Sequence, residues 1–338
     1  MNKIRWTVIG AGGIADRRAI PALLEDDQNE IVAVMDRVES EAQRVAEKFG
    51  VPAYFTDAEE MLAAVPCDAV YIGTPVACHY EQAMTALKYG VHTFIEKPIA
   101  MTEAEGRRLL EAFQAAGKQL MIGYMMGYHN LHKKARELVQ TGGLGTLNLV
   151  RMQFSCWYPE IAGAWRQKKS LGGGGCFMDL AVHCLDLFTT ITGDSIADCC
   201  SYVANRTFSY ETEDSAMLMF RSKQGVLGTI AVNFNIPDAC AASKLEIYGT
   251  DGSLVAEGTM GQEERGSMRY VYSPQGSYEA QQSRTTAEPQ VWQGGGENIY
   301  LKQFKDFNSL LTGGRPNYDN VEKSLAIQAI CDRVYQNV

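Results

Sequence analysis

The sequence predicts a doubly wound parallel α/β sheet in its first third. An α+β domain on a mostly antiparallel sheet follows. Three observations carry this. Short apolar runs alternate with helical periodicities from Lys3 to about Gly123. The first run turns sharply through glycines into a helix. Past residue 123 the apolar runs lengthen, and hairpin-type turns separate several of them. At 338 residues the chain exceeds the roughly 250 at which single cores stop growing. Domains are therefore expected at 1–123 and 124–338.

The elements follow in order. Ile4 to Ile9 (IRWTVI) is a buried strand that enters Gly10-Ala11-Gly12-Gly13-Ile14-Ala15, with a helix through Leu24. Ile31 to Met35 is the second strand and ends at Asp36. Glu39 to Phe49 is an amphipathic helix closed by Gly50. Ala58 to Val65 is helical, and Ala69 to Ile72 is a strand leading to Gly73-Thr74-Pro75. His79 to Lys88 is a helix, and the strand Val91 to Ile95 meets Glu96-Lys97-Pro98. Thr102 and Glu105 form a capping box for a helix reaching Ala116, before the strand Leu120 to Ile122.

A helix over Leu131 to Gln140 then gives way to strands at Leu147 to Trp157, Ala197 to Arg206, Asp214 to Arg221, Gly225 to Asn235 and Lys244 to Tyr248. Val271 to Gln293 is polar and reads as a loop or irregular edge. Helices Glu297 to Leu311 and Asp319 to Gln336 flank a break at Gly313-Gly314-Arg315-Pro316.

Composition narrows the function classes. Charged residues make up 21% and hydrophobic ones 46%, as in an ordinary globular protein. A net charge of −9 argues against a nucleic-acid surface, which needs a basic face. The first strand begins within three residues of Met1, which leaves no room for a leader peptide. No apolar run approaches the roughly 20 residues of a membrane span. Nine cysteines form no C-x-x-C pair, and Cys67, Cys78, Cys184 and Cys331 lie in apolar runs. Reduced, buried thiols in a cytoplasmic protein are the reading.

Three groups of residues can carry chemistry. In the opening turn, Gly10 permits the tight bend, Gly12 lets backbone approach a pyrophosphate, and Ala15 allows close helix–strand packing. The helix N-terminus offers N–H groups to phosphates, and Asp36 accepts from a ribose diol. Strand, turn, helix and acid together describe a dinucleotide socket. Lys97, at a strand end where ligands collect, can donate to a substrate hydroxyl and stabilise alkoxide charge. Asp179 and His183 follow Gly172-Gly173-Gly174-Gly175 and lie four apart, so on a helix they share one side. The surrounding residues are apolar, so this pair is buried and needs partners. His183 can exchange an alcohol proton while Asp179 orients substrate or imidazole. The glycines would let backbone approach a ligand. A zinc site from Cys176, Asp179, His183 and Cys184 matches no common spacing, and no metal is expected.

Taken in one order, GAGGIA, Asp36, Thr74-Pro75 with His79, Glu96-Lys97-Pro98, Trp165-Arg166 and Gly-Gly-Gly…Asp179…His183 resemble the glucose–fructose oxidoreductase / inositol dehydrogenase / rhizopine catabolism (Gfo/Idh/MocA) family over essentially the whole chain. The resemblance implies an N-terminal Rossmann domain and a C-terminal domain with a large, mostly antiparallel open sheet. It also implies redox chemistry on a secondary alcohol of a sugar or cyclitol, in homodimers or homotetramers associating through that sheet. Carried over by motif, Lys97 and His183 are the catalytic pair, with Asp179 their partner. Trp165 and Arg166 lie where relatives contact substrate or cofactor. Gly10, Gly12, Gly13, Ile14, Asp36 and Arg37 hold the adenosine and pyrophosphate, while Thr74, Pro75, His79 and Glu96 line the nicotinamide side. NAD is favoured over NADP because Asp36 repels a 2′-phosphate, although Arg37 beside it tolerates one. One departure stands out. Tyr124-Met125-Met126-Gly127-Tyr128-His129-Asn130 replaces a more polar arginine- or asparagine-bearing segment, which leaves the sugar's identity open. The leading reading is an NAD-dependent sugar or cyclitol dehydrogenase. The alternatives are glycoside cleavage through transient oxidation and a non-catalytic redox sensor.

Overall fold

A computed structural model describes residues 3–274, 278, 280, 287–313 and 316–336. Contacts divide them into two compact units. One holds the chain up to Tyr124 with Lys168–Gly173 and Tyr300–Gln336; the other holds Met125–Gln167 and Gly174–Ile299. A single cut near residue 123 would thus place the two last helices with the wrong contacts. Parts of the polar stretch 271–293 (275–277, 279 and 281–286), and Gly314 and Arg315 of the glycine break, lie outside the described residues.

The first unit carries six strands: β1 (Ile4–Ile9), β2 (Asn29–Met35), β3 (Tyr54–Phe55), β4 (Ala69–Ile72), β5 (His92–Glu96) and β6 (Leu120–Gly123). They pair in the order β3-β2-β1-β4-β5-β6, every pair parallel. This is the order of dinucleotide-binding sheets, and it reverses between β1 and β4, where strand ends open a crevice. All four residues of β4 are buried, as expected of a strand covered on both faces. β3 escaped the sequence reading because two edge residues carry no periodicity.

Helix ends follow their local signals. Gly50 closes Glu39–Phe49 at φ 67°, and Gly117 closes Glu103–Ala116 at φ 61°. Thr102 Oγ1 accepts from Glu105 N at 3.2 Å, whereas the Glu105 carboxylate returns to Met101 N at 3.1 Å, one residue before the expected partner.

The C-terminal helices complete this unit. Ile299–Thr312 lays Phe304 and Phe307, both fully buried, against Trp6 and Phe94 with ring centroids 5.0–5.7 Å apart. Asn29 Oδ1 accepts from both Trp6 Nε1 (3.0 Å) and Asn308 Nδ2 (2.9 Å). On Asp319–Gln336, Asn320 accepts from Ile122 N at 2.7 Å and donates to Ile122 O at 3.1 Å. That side chain satisfies the edge of β6 as a seventh strand would.

The second unit is built on β7 (Leu147–Ser155), β8 (Ile196–Ala204), β9 (Ser215–Ser222), β10 (Leu227–Asn233), β11 (Lys244–Gly249), β12 (Gly252–Glu257), β13 (Ser267–Tyr272) and β14 (Gln290–Gln293). Their order is β14-β13-β12-β11-β7-β10-β9-β8. Only β7 and β10 pair in parallel. Gln290–Gln293, within the stretch read as a loop or irregular edge, is the edge strand beside β13; its pairing is a backbone property that no apolar run announces. Alternation is clean in β9, where Ala216, Leu218 and Phe220 are buried between exposed neighbours. A helical segment, Phe177–Ala181 continued by Val182–Thr192, covers that face, with Phe188 edge-on to Phe220 at 4.9 Å. Contrary to expectation, Lys169–Thr192 is long and apolar enough to cross a membrane by composition. However, 83% of its apolar window is buried inside the protein, as befits a core helix.

Phe304→Ala should cost about 3–5 kcal/mol, the usual penalty for emptying a buried aromatic site. The check is a lowered denaturant midpoint in the transition that reports the first unit.

Candidate active site

In the first unit, Gly10 sits at φ 83°, and a Cβ there would lie 2.7 Å from Thr74 Cγ2. Gly10 N and Ala11 N both donate to Met35 O (2.9 and 3.0 Å), pinning the turn to the end of β2. Gly12 N points at Asp36 Oδ2 (3.4 Å), whose Oδ1 accepts from Val38 N at 3.0 Å. Gly13, at φ 56°, has open space above it. Beyond Ile14 comes a π-helical turn, Ala15–Ala19, and then Ile20–Leu24, with Ala15 fully buried against the sheet. The open glycine surface, the helix start and the acid at the tip of β2 fit an adenosine dinucleotide. Arg37 is exposed beside Asp36.

The loops after β4 and β5 are stapled together. His79 is 1% exposed; its Nδ1 lies 2.9 Å from Pro98 O and its Nε2 3.0 Å from Thr74 O. Burial outweighs these carbonyls and pulls its pKa down to about 4. Held neutral, His79 has one N–H and donates to one of these two carbonyls while lying against the other, which places it between the two loops. Thr74 Oγ1 donates to Gln82 Oε1 (2.6 Å), and the buried Tyr71 hydroxyl donates to Glu96 Oε1 (2.8 Å). Lys97 follows, half-buried, and the Lys97–Pro98 bond is cis.

In the second unit, Asp179 lies within the π-helical turn Phe177–Ala181, and His183 is the second residue of the α-helix Val182–Thr192 that continues it. The i→i+5 bonding of a π turn keeps residues four apart closely aligned, so the expected shared side survives the irregularity. Asp179 Oδ1 accepts from Arg166 Nε at 3.1 Å, and the guanidinium lies 4.2 Å from the centre of the Trp165 ring. Burial opposes the Arg166 charge, but Asp179 and Tyr158 outweigh it and hold its pKa above the ordinary value. His183 is 4% exposed, with its ring edge-on to Phe154 at 6.3 Å. Trp165, Arg166 and Asp179 therefore form one cluster, and His183 lies one turn beyond Asp179.

The glycine run has a different cause from the one expected. Gly173, at φ 77°, ends the short helix Lys169–Gly172. A Cβ on Gly175 would overlap the carbonyl oxygen of Glu213. Close approach is thus to protein backbone, not ligand. Glu213 takes three successive amides: Gly175 N to Oε2 (2.9 Å), Cys176 N to its carbonyl (3.0 Å) and Phe177 N to Oε1 (2.9 Å). Its neighbour Thr212 donates to Arg166 O at 3.0 Å. Asp214 anchors the group by accepting from Arg206, Thr207 and Phe208 N. Thr212 and Glu213 are buried; Thr212 holds the Arg166 carbonyl and Glu213 holds the backbone two to four residues before Asp179. The sequence reading missed them; the adjacent acids Glu213-Asp214 at the head of a half-buried strand were the available signal. Cys184 is buried, which pushes its thiol up to about 12, and Cys176 donates to Val232 O. Among the described residues no group of three His, Cys, Asp or Glu is placed to hold a metal ion.

Known proteins resemble this chain in both parts. Residues 4–124 match the model of the Gfo/Idh/MocA "Oxidoreductase family, NAD-binding Rossmann fold", and residues 132–255 match the family's C-terminal domain. The 1,5-anhydro-D-fructose reductase of Ensifer adhaerens is 28% identical, over 78% of this chain and 79% of that protein. A 3-ketoreductase from Actinomadura kijaniata, solved with NADP and TDP-benzene, superposes with a TM-score of 0.84 at 22% identity, covering 99% of this chain and 98% of that one. Levoglucosan dehydrogenase, solved with NADH and levoglucosan, superposes at 0.85 and 18% identity, covering 99% and 97%.

Two outcomes are expected. His79 is held neutral in the fold, so its contribution is complete above about pH 6.5 and is lost as pH falls toward 4, on the order of 3 kcal/mol. His132, pushed to about 3 by burial and by His129, acts in the same direction. Denaturant midpoints measured from pH 7 to 4 should fall, and less steeply in His79→Gln. Glu213→Ala leaves buried amides without acceptors and should cost about 1–3 kcal/mol, read by thermal unfolding.

Proposed function

The chain belongs to the Gfo/Idh/MocA oxidoreductase family, and from that premise we propose that it is a nicotinamide-dependent sugar oxidoreductase acting on a secondary alcohol. The observation that carries the reading is His183, a 4%-exposed imidazole packed among buried Val182, Leu185 and Leu187, one turn after an Asp179 already ion-paired to Arg166. A buried titratable group at that position suits proton exchange better than stability. The bound nicotinamide supplies or accepts the hydride.

The chain's own residues do the rest. His183 takes the hydroxyl proton during oxidation and returns it during reduction. Lys97 can donate to a substrate hydroxyl and stabilise developing negative charge. Asp179, ion-paired to Arg166, accepts from a substrate hydroxyl or from the imidazole and fixes the orientation. Gly10, Gly12 and Gly13 face the pyrophosphate. Asp36 binds the adenosine ribose and favours NAD, since a 2′-phosphate would meet its carboxylate. Dehydrogenation with NAD is the direction and cofactor we assign. Tyr202 of β8 and Met217 of β9 are register partners, exposed by 81% and 48%, and they support assembly into a homodimer or homotetramer through this sheet.

Lys97→Ala and His183→Ala should each lower kcat by roughly 10²–10⁴-fold, the usual contribution of a positioned acid or base. NAD affinity measured by fluorescence titration should stay close to wild type. Near-normal turnover in either variant would remove that residue from the mechanism. Asp36→Ala should raise kcat/KM with NADP relative to NAD, and an unchanged ratio would count against its place at the ribose.

A further inference from the structure

Phe154 has a second neighbour besides His183. Within the second unit, at the sheet end where β7 and β12 finish and β11 and β13 begin, lies a cavity of about 380 Å³. Phe154, Asp238, Ser243, Met260 and Arg265 contribute to its walls. We propose that this cavity receives an anionic group, a carboxylate or phosphate, carried by the sugar substrate, and that Arg265 selects for it. The inference rests on the oxidoreductase reading and names the substrate class of that site.

Four observations support it. The first is reach. The Phe154 ring lies 6.3 Å from the His183 ring and also lines the cavity, so a sugar with its reacting hydroxyl at His183 extends along this wall. The second is size, since small-molecule pockets typically enclose about 300–1,000 Å³. The third is how Arg265 is held. Its carbonyl lies 3.0 Å from His129 Nε2, and Glu264 beside it accepts from Asn130 N (2.8 Å) and Nδ2 (3.2 Å). Gly266 O accepts from Gly294 N at 2.7 Å. The backbone is pinned, yet among the described residues the guanidinium has no carboxylate or carbonyl partner. The fourth is strain. Ser243, at φ 42°, is the only non-glycine residue in the left-handed region among those described, and it stands in the cavity wall. Such backbone costs free energy and persists where surrounding structure imposes it, often at ligand clamps.

Chemistry selects the ligand. A guanidinium presents a planar fork that matches a carboxylate or phosphate with two parallel hydrogen bonds. Asp238 Oδ1 accepts from Trp157 N at 2.9 Å, which fixes the carboxylate and leaves its other oxygen for sugar hydroxyls. Phe154 and Met260 provide apolar surface for the ring's C–H groups. A neutral sugar would fill the same space without a charge-assisted pair to the exposed Arg265, and discrimination follows from that lost attraction.

The test compares full-length wild type with Arg265→Gln and Arg265→Lys. The measurement is kcat/KM, with NAD or NADP, for D-glucuronate, D-glucose 6-phosphate and D-glucose. Wild type should prefer an acid over glucose by at least about tenfold, and the preferred acid tells carboxylate from phosphate. Arg265→Gln should lose about 10–100-fold of that preference, chiefly through KM, with Arg265→Lys intermediate. Equal use of neutral and anionic sugars by wild type, or the same preference in Arg265→Gln, overturns the proposal. Absence of turnover on every sugar would count against the oxidoreductase reading instead. Calorimetric titration of both anions into wild type and Arg265→Gln then decides the cavity on its own, because a tighter wild type supports it and equal binding refutes it.

Discussion

The chemistry of the second unit depends on one buried carboxylate. Glu213 is taken out of water and is stabilised there by amide donors at the start of the segment that carries Asp179 and His183. Those amides would otherwise be orphaned at a buried helix start. The same short stretch also holds the backbone of Arg166 through Thr212. A π turn at this point is consistent with such control, because it departs from regular α-helical bonding and needs support from outside the helix.

The first unit solves a different problem: how to hold loops at strand ends without making them part of a core. His79 does this by spanning two loop carbonyls from a buried position, and Tyr71 does it for Glu96. The polar groups involved are nearly all consumed by these contacts. Lys97 stands next to that framework, on backbone set by its neighbours. Two helices from the far end of the sequence close the unit, one as an aromatic face and the other through an asparagine that finishes the sheet edge.

Much of this was legible residue by residue. The glycine turn, Asp36, the Gly50 and Gly117 helix ends and the Thr102 cap each rest on contacts within a few positions, so their signals sit in the local string. Burial of His183 was legible too, because Val182, Leu185, Leu187 and Phe188 around it are apolar. The Gly175 requirement was read correctly as close approach but assigned to the wrong neighbour. The object approached is the backbone of Glu213, 38 positions away. His79 likewise matched a motif while its two partners lay 5 and 19 positions off.

Taken alone, the amino-acid string determined the alternation of strands and helices and the dinucleotide turn. These depend on periodicity, φ preferences and side-chain chemistry, all of which act over short range. Tertiary structure decided the partner of Asp179, the anchoring by Thr212 and Glu213, the return of the last helices to the first unit and the edge strand at Gln290–Gln293. Each is a pairing between distant segments, and such pairings follow from how whole faces pack and which buried polar groups must be satisfied, which no local window contains.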